Sequence, residues 1–113
     1  MKNRSPITTH VLDLSRGKPA DGIEVILHAR EDGNWKELAR AKTNSDGRVE
    51  DLLPPTAEPP AGAYRLVFET EAYFKGRGFY PSVTIEFHVR DSAQHYHVPL
   101  LLSPYGYSTY RGS

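Results

Sequence analysis

The chain has 113 residues, 38% of them apolar and 25% charged, with fourteen Lys and Arg set against fourteen Asp and Glu. A domain of this length can bury roughly two-thirds of the surface its unfolded chain exposes, and the charge balance argues against a phosphate-reading surface, which carries a basic excess. With no cysteine, disulfide frameworks, thiolate metal sites and cysteine nucleophiles are excluded, and no apolar run approaches the ~20 residues of a membrane span. We expect one domain over residues 1–113. No apolar segment follows the basic residues of Met1–Pro6, so we expect no signal peptide and a cytoplasmic location.

Ile7–Asp13, rich in Thr, Val and Ile, reads as a first strand, and Gly17, Pro19 and Asp21-Gly22 mark the loop after it. Over Ile23–Arg30, Ile23, Val25, Leu27 and Ala29 alternate with Glu24, Ile26, His28 and Arg30, the period of a half-buried strand. Asp32-Gly33-Asn34 predicts a turn, with Trp35–Thr43 returning as the hairpin partner. Asp46-Gly47 introduces a short strand, Arg48–Leu53, and the prolines at 54, 55, 59 and 60 predict an irregular loop. Ala63–Glu69 alternates again. Thr70–Lys75 predicts one or two helical turns, capped by Thr70 and ended by Gly76 and Gly78. Val83, Ile85, Phe87 and Val89 share the inner face of another strand. His95–Ser103 forms the last, in which Pro99 suggests a sheet edge or a bulge. Seven or eight short strands with one short helix and no βαβ rhythm predict an all-β antiparallel sandwich.

Five histidines are available for chemistry. His28 and His88 lie on polar strand faces and read as surface residues. In His95-Tyr96-His97 the two imidazoles are two residues apart and point the same way. A metal would need three or four ligands and the spacing marks no further one, so proton transfer is the more economical use. His10 puts a titratable ring among Thr, Val and Leu. Arg48 follows a tight turn, and its planar fork suits an anionic or carbonyl-rich ligand. Tyr105, Tyr107 and Tyr110 crowd the last nine positions, which predicts a docked rather than a frayed end.

Three separated segments resemble the transthyretin-related proteins. They are Thr9-His10-Val11-Leu12-Asp13 with Gly17-Lys18-Pro19-Ala20, then Asp46-Gly47-Arg48, and then His95 to Pro104 with the ending Tyr107-Ser108-Thr109-Tyr110-Arg111-Gly112-Ser113. The last four residues resemble the hydrolase branch of that family rather than its hormone-carrier branch. The resemblance implies a sandwich of two four-stranded sheets with one short helix, assembled as a homotetramer, a dimer of dimers with sites at the dimer–dimer interface. It implies hydrolysis of 5-hydroxyisourate to 2-oxo-4-hydroxy-4-carboxy-5-ureidoimidazoline in urate degradation, with no cofactor, metal, nucleic acid or membrane partner. It places His10, Arg48 and His97 in the catalytic role and Tyr110, Arg111, Gly112 and Ser113 around the substrate, and leaves open which histidine is the base. The rival readings are a small-ligand carrier without catalysis and an interaction domain with no site, for which the C-terminus would be dispensable.

Overall fold

The computed structural model describes residues 4–113. Among the described residues nine strands run in the order β1 (Ile7–Asp13), β2 (Lys18–Pro19), β3 (Glu24–Glu31), β4 (Asn34–Lys42), β5 (Arg48–Val49), β6 (Gly62–Glu69), β7 (Val83–Val89), β8 (Tyr96–Ser103) and β9 (Gly106–Thr109). They form two sheets, β4-β3-β6-β7 and β2-β1-β8-β9, with the two-residue β5 added to the second by pairing with β1. The inner residues of both sheets meet in one core. Val25, Leu27, Leu66, Phe68 and Val83 come from the first sheet, and Ile7, Val11, Val98, Leu100 and Leu102 from the second. Each fully buried side chain of this kind contributes about 1.5–3 kcal/mol.

Two expectations are corrected. Pro99 lies neither at an edge nor in a bulge, because β8 is an interior strand, paired with β1 on one side and β9 on the other. The ladder tolerates the missing N–H because regular β9 pairing stops at Leu100↔Thr109 and resumes only as a lone bridge, His97↔Gly112. The Pro99 carbonyl accepts the Thr109 hydroxyl at 2.7 Å instead. The β1–β8 pairing is parallel, in an otherwise antiparallel fold.

The short helix does not form. Thr70 to Lys75 makes a single turn with one helical bond, from Phe74 N–H to Thr70 C=O at 3.1 Å. Lys75 and Gly76 then enter the left-handed region, with φ of 55° and 76°, and bonds from Gly76 N–H to Glu71 and from Lys75 N–H to Ala72 close the turn. That is a helix C-cap reached after one turn, too short to recover the cost of nucleation.

This turn is fastened to the second sheet by Tyr73, whose hydroxyl donates to the buried Asp13 carboxylate at 2.6 Å. Burial raises the Asp13 pKa, but hydrogen bonds from Ser15, Tyr73 and Arg16 outweigh it and hold the carboxyl below its ordinary value. Tyr73→Phe should therefore cost about 1–2 kcal/mol in urea unfolding at neutral pH. Because the folded-state pKa is the lower one, this stabilisation is present above the ordinary Asp value of about 3.9 and is lost as pH falls through the folded value. An unchanged urea midpoint would show the contact to be idle.

Candidate active site

Period-two alternation sorts the second sheet into a core face and an outer face. On β1, Ile7 and Val11 go inward, and Thr8, His10 and Leu12 outward. Arg48 on β5 is paired with His10, and His97 on β8 with Thr8, so all four side chains stand on the outer face.

The Arg48 backbone is set by the turn before it. Asn44 Oδ1 accepts the N–H groups of Asp46 and Arg48 at 2.9 and 3.0 Å, and Arg48 C=O accepts Asn44 N–H at 3.0 Å. Gly47 is required here. Its φ is 75°, and a Cβ would collide with the carbonyl oxygen of Val11 on the neighbouring strand. The same close approach lets Val11 N–H bond to Gly47 C=O at 2.7 Å, which anchors the turn to β1.

His95 and His97 stack with ring centroids 6.3 Å apart and planes 16° apart. Both rings turn to the buried Thr8 hydroxyl, which lies 2.8 Å from His97 Nδ1 and 3.0 Å from His95 Nε2. The C-terminal tail lies against this group. Gly112 N–H donates to His97 C=O at 2.9 Å, and a Cβ on Gly112 would come within 2.6 Å of His97 Cδ2. Arg111 does not point to His10 and Arg48. Its guanidinium lies over the Tyr96 ring, 4.6 Å from the centroid, and bonds Gln94 Oε1 at 3.1 Å and His95 C=O at 3.3 Å. Tyr110 and Ser113 are exposed beside it.

Two concavities flank these residues. One, of about 520 Å³, runs between β7 and the tail and includes His97, Tyr110 and Arg111. The other, of about 910 Å³, includes Arg4, Arg48, Glu50 and His95. His10 lines neither, and His10, Arg48 and His97 are each partly open to solvent on this face. His28 and His88 belong to the first sheet, where His28 Nδ1 accepts Arg65 Nε–H at 3.3 Å and His88 pairs with Arg90.

The HIUase/Transthyretin family model matches residues 7–112. The chain belongs to that family. A mouse (Mus musculus) 5-hydroxyisourate hydrolase is 49% identical over 114 residues, covering 96% of each chain. Among solved structures, the Klebsiella pneumoniae 5-hydroxyisourate hydrolase matches with a TM-score of 0.82 and 39% identity, covering 95% of this chain and 97% of that one. Sea bream transthyretin in complex with thyroxine matches with a TM-score of 0.87 and 29% identity over 96% and 95%. The backbone thus fits the transthyretin slightly better and the sequence fits the hydrolase better. Within the HIUase/Transthyretin family the fold cannot discriminate, and the side chains on the open face must.

Those side chains are electrostatically coupled. Burial lowers the pKa of His97 below 6.5, and Arg48, His95, His10 and Arg4 lower it further. Burial and then Arg48 lower His10, against smaller opposing effects of Asp46 and Glu50. Both rings are therefore neutral at pH 7 and can accept protons. The unfolded chain protonates first as pH falls through 6.5, so stability should drop as pH is lowered toward the folded-state values, for instance from pH 7 to pH 6. That decline should be shallower in His97→Gln, read from urea midpoints at both pH values. Equal slopes in the two proteins would mean that His97 is not held neutral by the fold.

Spacing pointed to the His95 and His97 pair and to the tail, and the family resemblance to His10, Arg48 and His97, but neither pointed to Thr8. Its only mark in the sequence is its place two residues before His10. Its partner His97 is fixed by a parallel register with a strand residue 89 positions away, which no local pattern encodes.

Proposed function

We propose that this chain is a 5-hydroxyisourate hydrolase, converting its substrate to 2-oxo-4-hydroxy-4-carboxy-5-ureidoimidazoline without a cofactor. The observation that carries this reading is the open face on which His10 and Arg48 pair across two strands while the tail residue Gly112 bridges to His97. The substrate is flat, rich in carbonyls and readily ionised. Hydrolysis requires water to add to a ring carbonyl, charge to build on its oxygen, and the C–N bond to break with a proton delivered to the nitrogen. One neutral imidazole deprotonates the water, and the Arg48 guanidinium, with its fork of N–H donors, stabilises the developing oxyanion. A histidine N–H returns the proton to the departing nitrogen. Tyr110, Gly112 and Ser113 wall the pocket, and Arg111 holds them there through Tyr96 and Gln94. A carrier has no use for two neutral imidazoles and a cation on this face, which makes that reading the weaker one.

We place the chain in a homotetramer, a dimer of dimers, with a second subunit covering the open His10 face. The outer strands β7 and β9 leave backbone groups free for intersubunit pairing, which supports the assembly. Light scattering should return about four times the 12.7 kDa chain mass. Among the described residues no helix is long and apolar enough to cross a membrane. Our reading of the location is cytoplasmic.

The direct test generates 5-hydroxyisourate in the cuvette by oxidation of urate and follows its decay with and without the protein. Since the substrate also decays unaided, the readout is a rate ratio. Clear acceleration supports the hydrolase. No acceleration by the folded protein favours the carrier, and ligand binding to the same face would then be measured.

A further inference from the structure

We propose that Thr8 is a positioning residue that sets the His97 tautomer and, with His95, carries protons between His97 and solvent. The proposal deepens the hydrolase reading and rests on it. Its geometric basis is a single buried hydroxyl shared by two imidazole nitrogens, at 2.8 Å from His97 Nδ1 and 3.0 Å from His95 Nε2.

The proton count restricts what this triad can do. A hydroxyl donates one hydrogen bond and accepts the rest, so it satisfies only one of the two nitrogens as a donor. The other nitrogen must carry a proton. Two arrangements exist, one with His97 Nδ1–H donating to Thr8 and Thr8 donating to His95 Nε2, and one with every bond reversed. The first leaves a lone pair on His97 Nε2, the ring nitrogen not engaged by Thr8. That nitrogen can then take a proton from water, as the hydrolase reading requires, and we assign this arrangement to the resting protein. His95 must then be neutral to accept, in agreement with the burial, Arg4 and Arg111 that lower its pKa against the opposing Glu50.

The transfers balance. Water gives a proton to His97 Nε2, leaving hydroxide to add to the substrate carbonyl. His97 Nδ1–H passes to Thr8 Oγ1 as the Thr8 hydroxyl proton passes to His95 Nε2. His95, now an imidazolium, releases its Nδ1 proton into the concavity it lines with Arg4 and Glu50. His97 is left neutral with its proton on Nε2, correctly placed to protonate the departing nitrogen. That delivery draws a proton from solvent through His95 and Thr8 in the opposite sense and restores the starting tautomer. Thr8 therefore lets one imidazole serve as base and then as acid without rotating.

The test combines 15N NMR of histidine-labelled protein with turnover of enzymatically generated 5-hydroxyisourate. Unaltered protein should show His97 in the Nδ1–H form, the opposite of the form preferred by free imidazole. Thr8→Ser should keep that tautomer and most of the turnover. Thr8→Val, close in shape but without the hydroxyl, should lose the tautomer and at least ~10-fold in kcat. His95→Gln should keep the tautomer, since the amide oxygen still accepts from Thr8, yet lower kcat by a similar factor because the proton has no exit. An Nε2–H form of His97 in the unaltered protein would overturn the proposal even if hydrolysis were fast. Full turnover by His95→Gln would overturn the relay. The assigned tautomer without any hydrolysis would instead remove the hydrolase reading, and the relay with it. Should Thr8→Val fail to fold, the parent spectrum and His95→Gln decide.

Discussion

Arg48→Ala should lower turnover of 5-hydroxyisourate at least ~10²-fold while leaving the unfolding temperature close to that of the parent. The two halves of this result come from different parts of the residue. The Arg48 backbone is held by Asn44 and by pairing with His10, and alanine preserves both. The guanidinium, among the described residues, forms no hydrogen bond or ion pair whose loss would weaken the fold. What alanine removes is a cation facing two imidazoles. Loss of the oxyanion donor accounts for the drop in rate. A second effect separates this role from a merely structural one: Arg48 contributes to the lowered pKa of both His10 and His97, so the acid limb of the rate profile should move up toward pH 6.5 in the variant. Arg48→Lys should restore much of that electrostatic shift but less of the rate, since an ammonium lacks the planar fork. Near-parent turnover by Arg48→Ala would remove Arg48 from the mechanism.

The second large effect is expected at the C-terminus. Deleting Arg111 to Ser113 should cost at least ~10²-fold in turnover with little change in unfolding temperature, because small displacements of a catalytic group are enough for such a loss. The three residues lie beyond the last regular β9 pair, Leu100↔Thr109, and bury none of the core, so the sandwich does not need them. His97 does. Its carbonyl is bonded by Gly112 N–H and its ring edge is closed off by the Gly112 backbone, while Arg111 pins that segment to Tyr96, Gln94 and the His95 carbonyl. A finer probe is Gly112→Ala. The new methyl would sit 2.6 Å from His97 Cδ2, so either the ring or the tail must move, and turnover should fall without deletion of any polar group. A fully active truncated chain would remove Arg111 to Ser113 from the catalytic site.

The strands were legible because each obeys a two-residue period that turn residues interrupt. Ile7–Asp13 was read with its observed bounds, and the other long strands to within a residue or two. Arg48–Leu53 was overread. Only Arg48 and Val49 pair with β1, after which the chain leaves the sheet toward its proline-rich loop. The turn at Thr70–Lys75 was overread as a helix for a related reason. Its cap and its charge spacing are local signals, whereas the tie from Tyr73 to Asp13 that fixes this turn in place spans sixty positions.

Composition, periodicity and turn residues determined by themselves that this chain is a β-sandwich, while the family resemblance marked His10, Arg48, His97 and the tail as the candidate site. Those properties depend on which residue stands at which spacing along one strand or turn. Only the tertiary structure decided that β8 lies beside β1 in parallel, and the place of His97 at the site follows from that register. It pairs Thr8 with His97 and lets one hydroxyl bridge His95 and His97. It also makes β8 the interior strand against which Gly112 docks, despite Pro99. Pairing between strands nearly ninety residues apart is selected by the burial of two whole faces at once, an energy summed over the core and carried by no local stretch of sequence.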